Sequence, residues 1–375
     1  MGLINDLFRR YGDNYIAQHG NRITPQQRKV IHAMQHCRTG EHGKVHYRCD
    51  SCDEDTVVAR GCGNRHCPGC QHRKAQLWLQ RQLARQCPGP HFMVTFTVPE
   101  GVRDFFMRHP REAYDALFAA AAYAMKKLAG NDEWIGGDTP GFFGVLHTWG
   151  RQLQYHPHIH FIAVGGAWCS EQKRWIATNP GFFLPVHGLS TIVRAKFREL
   201  MAQQGLLAQI PDKAWSIAWN VNSQAVGSAE ATLKYLTPYV FRVAISDHRI
   251  VNVDDDNHQV TFWYRHKESQ RRRTLTLDIM EFMRRFLHHV LPAGFMKIRY
   301  YGFLSPTSSV DLDTIRTHIE LAHGFEISTP VVQAPVMRPM TCPHCGGTLH
   351  YGGFTPPRQR ITTLPENRPP TTVAT

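Results

Sequence analysis

The chain reads as an α+β protein, with an antiparallel sheet carrying helices over one face and a small N-terminal zinc ribbon. Three observations point there. His158 and His160 stand two residues apart at the head of the apolar run Phe161 to Val164, which is the period of a β-strand. Two CxxC knuckles, Cys49 with Cys52 and Cys67 with Cys70, are separated by fourteen residues, close to the spacing of a zinc ribbon. From residue 89 to 325, segments of helical periodicity alternate with short β-branched and aromatic runs. Such an array covers one sheet face and leaves the other open.

With 375 residues the chain is long enough for one large core or two modest ones. Lys and Arg total 43 against 30 acidic residues, a net charge of +13. A surplus of this size favours a polyanionic partner, and clusters such as Arg271 to Arg273 and Arg284 with Arg285 concentrate it. Neither a run of about eighteen apolar residues nor a signal-peptide core is visible, so no membrane partner and a cytoplasmic location are expected. In that compartment the ten cysteines read as reduced metal ligands and not as disulfides.

Residues 1–36 are predicted helical, with Thr24 as a cap and Pro25 in the first helical position. In the Cys-rich block that follows, Cys49, Cys52, Cys67 and Cys70 are expected to hold one structural Zn²⁺, because a ribbon this small has little core of its own. Cys37, Cys62, His46 and His66 have no assigned role there. The surrounding Arg48, Arg60, Arg65, Arg73 and Lys74 read equally as a DNA contact or as solvated charge. Next come a helix over Arg73 to Gln86, a first sheet strand over His91 to Val98 and a long helix over Arg103 to Leu128. Gly141 to His147 and His156 to Val164 are predicted as adjacent strands, closed by a turn at Gly165 and Gly166, with a further hairpin around Trp175. A helix over Leu189 to Gln204 leads to the segment Ser228 to Val243. Beyond it, Asp254 to Asn257 form the turn of a hairpin returning through Val260 to Tyr264, then a helix runs over Leu277 to Leu291. In that hairpin, aromatics interleave with Arg265, Lys267 and Arg271 to Arg273, a composition suited either to clamping single-stranded bases or to ordinary edge packing. Ser328 to Met340 reads as a linker, Cys342 and Cys345 form a third knuckle, and the Pro-rich tail from Pro356 reads as disordered. That knuckle closes a zinc with His344 or His350, borrows from the N-terminal block, or dimerises; the sequence leaves these open. The expected domains are therefore 1–88, 89–325, 326–355 and 356–375.

The chemistry concentrates in HTWGRQLQYHPHIH, His147 to His160. A lone strand histidine is ordinarily a core or surface residue. Four within fourteen residues, two of them on one strand face, look like metal ligands awaiting a third. His147 on the neighbouring strand is the candidate third ligand and His156 its competitor. Some eighty residues on, Tyr235 and Tyr239 sit four apart in a segment of helical composition capped by Ser228. Core packing is the ordinary reading of two aromatics at that spacing. As nucleophiles, phenols with a pKa of about 10 need a metal or a base to assist them. Pro238 between them disfavours a straight helix. Tyr300 and Tyr301 are adjacent and so cannot face one site together.

Taken jointly, these residues resemble the HUH endonucleases, and specifically the two-tyrosine rolling-circle transposases of the insertion-sequence ninety-one type. The likeness runs through CGNRHCPGCQ at Cys62 to Gln71, FMVTFTVP at Phe92 to Pro99, LHTWGRQLQYHPHIHFIAVGG at Leu146 to Gly166, KYLTPYVFRVAISDHRI at Lys234 to Ile250, and RRFLHHVLPAGFMKIRYYGFL at Arg284 to Leu304. It implies an HUH-type, RRM-like sheet in residues 89–325. A divalent ion, Mg²⁺ or Mn²⁺, would lie on His147, His158 and His160, and Tyr235 and Tyr239 would be the catalytic nucleophiles. The implied partners are single-stranded element ends and target DNA, placing the protein at the bacterial nucleoid when bound; a homo-oligomer is compatible with this. Two rivals remain: a replication initiator or relaxase with the same chemistry, and a zinc-ribbon DNA-binding regulator without catalysis. The presence of all three histidines and both tyrosines argues against the latter.

Overall fold

The computed structural model describes residues 2–227, 244–324 and 339–357. Tyr235, Tyr239 and nearly all of the expected linker lie outside the described residues. The chain divides into two compact units, residues 1–35 with 63–335 and residues 36–62 with 336–375. In chain order the helices are α1 (Leu3–His19), α2 (Pro25–Gln35), α3 (Pro68–Ala84), α4 (Arg103–Arg108), α5 (Pro110–Ala129), α6 (Val186–Gln203), α7 (Lys213–Ser216), α8 (Ile279–Leu287) and α9 (Leu312–His323). The strands are β1 (Lys44–Cys49), β2 (Asp55–Ala59), β3 (His91–Thr97), β4 (Thr139–Trp149), β5 (Tyr155–Cys169), β6 (Arg174–Ala177), β7 (Asn220–Gly227), β8 (Ile250–Asp254), β9 (Gln259–Arg265), β10 (Arg272–Asp278), β11 (Ile298–Tyr301) and β12 (Leu349–Thr355).

The larger unit is built on an antiparallel sheet ordered β11-β4-β5-β3-β7, with β6 paired to the far half of β5. Because successive side chains alternate faces, β5 offers Ile159, Phe161 and Ala163 to one side and His158, His160 and Ile162 to the other. The first side is the main core, covered by α4, α5 and α6. Phe161 is wholly buried there against Phe96, Phe118, Phe142 and Tyr301. Alanines at 113, 116, 120, 121 and 124 keep α5 slim, so that it fits between the sheet and α6. On the second side α3 covers only the apolar end, where Trp78 packs with Phe143, Val145 and Ile162. The histidine end of this face is left to the groove described below.

Several boundaries differ from the sequence reading, each for an identifiable reason. The helix expected over 103–128 is two helices, because Pro110 lacks an N–H and starts α5 afresh after His109. Gly165 and Gly166 do not turn the chain. β5 continues to Cys169, and Gly166 (φ +154°) lets β6 approach where a Cβ would stand 2.4 Å from the Ile176 carbonyl oxygen. The strand β10 over 272–278 takes in the first two residues of the helix expected over Leu277 to Leu291; α8 begins only at Ile279, capped by Asp278, which accepts from Met280 and Glu281 N–H, and ends at Leu287. The strand β7 was not anticipated. A boundary at residue 88 does not match the packing either. Phe8 of α1 stacks edge-on against Phe286 of α8 at 5.1 Å, and Trp78 of α3 meets Phe143 of β4 at 5.9 Å. Helices α1, α2 and α3 therefore belong to the larger unit, and the smaller one joins the hairpin β1–β2 to the C-terminal β12. The cap at Thr24 is present as read: Gln27 N–H donates to Thr24 Oγ1 at 3.2 Å, and Thr24 N–H to Gln27 Oε1 at 2.9 Å.

Replacing Phe161 by Ala removes the ring at which four other aromatics meet. We expect a loss of about 3–5 kcal/mol in unfolding free energy, measured as a lowered denaturant midpoint of the larger unit's transition.

Candidate active site

The site grows from the register between β4 and β5. His147 lies directly opposite His158, and Val145 opposite His160, so His147 is the diagonal neighbour of His160. The ring centroids are 5.4 Å apart for His147–His158, 4.9 Å for His147–His160 and 4.8 Å for His158–His160. One ligand nitrogen from each of the three lies within 4.8 Å of the others. His156 stands beside His158, with ring centroids 5.3 Å apart, but it is not part of that group. Two of the Nδ1 atoms are engaged on the protein side. His158 Nδ1 contacts the His156 carbonyl oxygen at 2.7 Å, and His160 Nδ1 contacts Thr95 Oγ1 on β3 at 2.8 Å. Such outer contacts fix the ring orientation and leave Nε2 as the nitrogen able to bind a cation. Burial holds His160 down to about 4 and His158 well below its usual value, with the neighbouring His160 adding to the effect on His158. At neutral pH both are neutral donors, the form that a divalent metal requires.

These imidazoles floor a groove of about 1100 Å³. One wall is the β4–β5 loop with Trp149, Arg151 and Gln154; the other is the β9–β10 turn region with Tyr264, Arg265 and Lys267. The Trp263 ring in this wall carries two cations: the guanidiniums of Arg272 and Arg249 lie 4.5 Å and 5.8 Å from its centroid. Arg249, almost fully buried, also joins the two walls, donating from Nε to the Trp263 carbonyl at 2.9 Å and from Nη2 to the Arg151 carbonyl at 2.7 Å.

Two further groups hold the same loop. Arg285 Nη1 donates to the Gln152 carbonyl at 3.2 Å, and His289 Nε2 lies 3.2 Å from the Leu153 carbonyl oxygen. Arg285 is in turn gripped by Glu281 at 2.7 Å, and Arg284 by the same carboxylate at 2.6 Å. The hydrogen bond from Arg284, followed by that from Arg285, draws the Glu281 carboxyl down to about 2. The sequence flagged Arg284 to Leu304 as a motif but gave Arg249, Glu281, Arg285 and His289 no part in the site. Arg249, Arg285 and His289 reach backbone carbonyls, a contact that no pattern of residue types signals, and Glu281 acts through Arg285.

With this geometry in hand, the relatives are informative. Residues 141–310 match a family model described as "Putative transposase", and residues 7–98 match one described as "Transposase zinc-binding domain". The "Putative transposase y4qJ" of Sinorhizobium fredii is 36% identical over 324 residues, spanning 80% of this chain and 80% of that one. The chain belongs to the insertion-sequence ninety-one family of transposases. Also similar is the "Transposase for insertion sequence element IS801" of Pseudomonas savastanoi pv. phaseolicola, 26% identical over 308 residues, 74% of this chain and 70% of that one. No solved structure matches.

As a transposase the protein acts on DNA, and its N-terminal region is a zinc-binding domain. The cysteines nevertheless group differently from the spacing argument. Cys49 and Cys52 belong to the smaller unit, where β1 pairs with β12 and brings them to Cys342 and Cys345. Cys67 and Cys70 belong to the larger unit, at the head of α3, where Asn5 Nδ2 donates to Cys67 Sγ at 3.4 Å. Cys342 and Cys345 thus stand beside Cys49 and Cys52 where the spacing argument expected Cys67 and Cys70, because strand pairing across almost the whole chain outweighs nearness in sequence. No helix among the described residues is long and apolar enough to cross a membrane.

Glu281→Gln tests the fastening of the β4–β5 loop in this transposase. Hydrogen exchange at residues 150–154 should rise roughly three- to tenfold while other strands are unchanged. Since the folded-state carboxyl sits below its unfolded value of about 4.3, its stabilisation is present above that pH and lost as pH falls toward about 2. The difference in stability between wild type and Glu281→Gln should accordingly be constant from about pH 6 upward and vanish near pH 2.

Proposed function

We propose that this transposase cuts and rejoins single-stranded DNA at a site assembled from His147, His158 and His160 with Tyr235 or Tyr239 as nucleophile, in rolling-circle transposition of an insertion sequence. The observation that carries the reading is the convergence of three imidazoles, two of them tethered through Nδ1, on the floor of a cationic groove. A divalent cation held there, for which imidazole donors favour Mn²⁺ over Mg²⁺, would supply charge neutralisation at the nonbridging oxygens of the scissile phosphate.

The chain's own residues do the rest. The phenol of Tyr235 or Tyr239 gives up its proton to solvent and its oxygen attacks phosphorus in line. The bond from phosphorus to the 3′-oxygen breaks, and that oxygen takes up a proton from solvent to leave a free 3′-hydroxyl and a 5′-phosphotyrosine. Because one phosphodiester replaces another, rejoining by the reverse attack needs no nucleotide triphosphate. Two tyrosines allow donor and target strands to be held covalently at once. Both lie outside the described residues, and their roles rest on the sequence pattern and the family resemblance. Arg265 and Lys267 in the groove wall would hold the strand by its phosphates.

The test is incubation of the full-length protein with single-stranded oligonucleotides from candidate element ends plus Mn²⁺, resolved on denaturing protein gels. Wild type should give a metal-dependent covalent band, reduced on the order of 100-fold or more in His158→Ala and absent in the Tyr235→Phe/Tyr239→Phe double variant. A band that forms without metal, or that survives the double substitution, would contradict the proposal.

A further inference from the structure

We propose that Cys49, Cys52, Cys342 and Cys345 bind one structural zinc ion, so that half of its ligands come from the far end of the chain, outside the region matched as a zinc-binding domain. This site lies wholly within the smaller unit and is independent of the strand-transfer reading.

All four Sγ atoms lie within 4.8 Å of one another, with Cys49–Cys345 at 3.4 Å and Cys52–Cys342 at 3.8 Å. Tetrahedral zinc–sulfur bonds of about 2.3 Å put the sulfurs about 3.8 Å apart. None of the four is in a disulfide, and Cys52 and Cys345 are exposed. Apolar burial therefore does not explain why exposed thiols from segments almost 300 residues apart should converge.

The backbone around the sulfurs is built in matching halves. In each knuckle the N–H two residues after a cysteine points at its sulfur: Ser51 N–H donates to Cys49 Sγ and Gly347 N–H to Cys345 Sγ, both at 3.4 Å. These donors stabilise thiolate, the form in which cysteine binds metal. Gly346, at φ +76°, makes the tight turn of the C-terminal knuckle, whose ends close by Cys342 N–H to the Gly347 carbonyl at 2.7 Å. The two knuckles are then laced together. Asp50 N–H donates to the Thr348 carbonyl, and Thr348 N–H returns to Asp50 Oδ1, both at 3.1 Å. The alternative ligands are directed elsewhere: His350 Nε2 is 3.6 Å from Asp50 Oδ2 and His344 Nε2 is 3.9 Å from Glu54 Oε1.

Energetics agree with geometry. The apolar cluster of this unit consists of Cys49, Cys342 and Leu349, with Tyr47 packed against it. That is far too little buried surface to order three strands, and small units of this kind obtain their stability from metal. Zinc at these sulfurs would fasten β12 to β1 where the pairing starts, at Cys49 opposite Leu349. The zinc-binding region would then be discontinuous, with the larger unit inserted between its halves, and deletion of the last residues would strip the N-terminal hairpin of its metal.

The experiment uses the zinc-loaded full-length protein. Native alkylation with N-ethylmaleimide, read by mass spectrometry at each cysteine, should find exposed Cys52 and Cys345 as protected as buried Cys49 and Cys342, and a chelator should release all four together. Zinc content of Cys342→Ser/Cys345→Ser should fall by about one ion per chain, with Cys49 and Cys52 becoming reactive. In Cys67→Ser/Cys70→Ser, Cys49 and Cys52 should stay protected. Rapid labelling of Cys342 and Cys345 in wild type while Cys49 and Cys52 resist, or unchanged zinc in the Cys342→Ser/Cys345→Ser variant, would overturn the proposal. Wild-type labelling decides the question even where a variant fails to fold.

Discussion

The register between β4 and β5 is the constraint on which the site depends. With His147 fixed opposite His158, and His160 one diagonal step away, three imidazoles meet without help from any loop. A slip of one residue would turn His158 and His160 into the apolar core and bring Ile159 to the groove. The rings of Phe142 and Phe161, wholly buried on the other face, forbid that slip. The same aromatic core that stabilises the sheet thus sets the position of its polar donors.

Placing neutral histidines at one end of a strand is costly unless their spare nitrogens have partners. Here the His156 carbonyl and the Thr95 hydroxyl supply them, and the groove receives the remaining lone pairs. The β4–β5 loop beside the site is held by Arg249, Arg285 and His289, which contact the carbonyls of Arg151, Gln152 and Leu153 respectively. Three consecutive carbonyls held by side chains from outside the loop make it a rigid wall. A rigid wall is what positioning a phosphate demands.

Features carried by local chemistry were legible in the sequence. The alternation around His158 and His160, the Thr24 cap, the hairpin at Asp254 to Asn257 and the nearness of His147 to the histidine pair all depend on residues near one another in the chain, and all appear in the structure. Missed features were long-range or rested on one backbone detail. β10 was lost because in Arg272 to Asp278 threonine alternates with leucine over only four residues between charged ends, a weak signal without its partner β9 in view. The break at Pro110 was hidden by continuous helical periodicity on both sides. Most instructive are the cysteines, where two knuckles fourteen residues apart looked self-sufficient. Only the pairing of β1 with β12 reveals that the nearer partners of Cys49 and Cys52 lie near residue 345.

The proposed reaction requires His147, His158 and His160 to form one metal centre. Pulsed electron paramagnetic resonance of Mn²⁺ bound to the full-length protein tests it most directly, because imidazole nitrogen modulates the manganese echo in proportion to the number of coordinated rings. Three nitrogen couplings of similar strength are expected, falling to two in His147→Ala with the His156→Ala spectrum unchanged. Bound Mn²⁺ showing no imidazole coupling, or losing one in His156→Ala and none in His147→Ala, would contradict it.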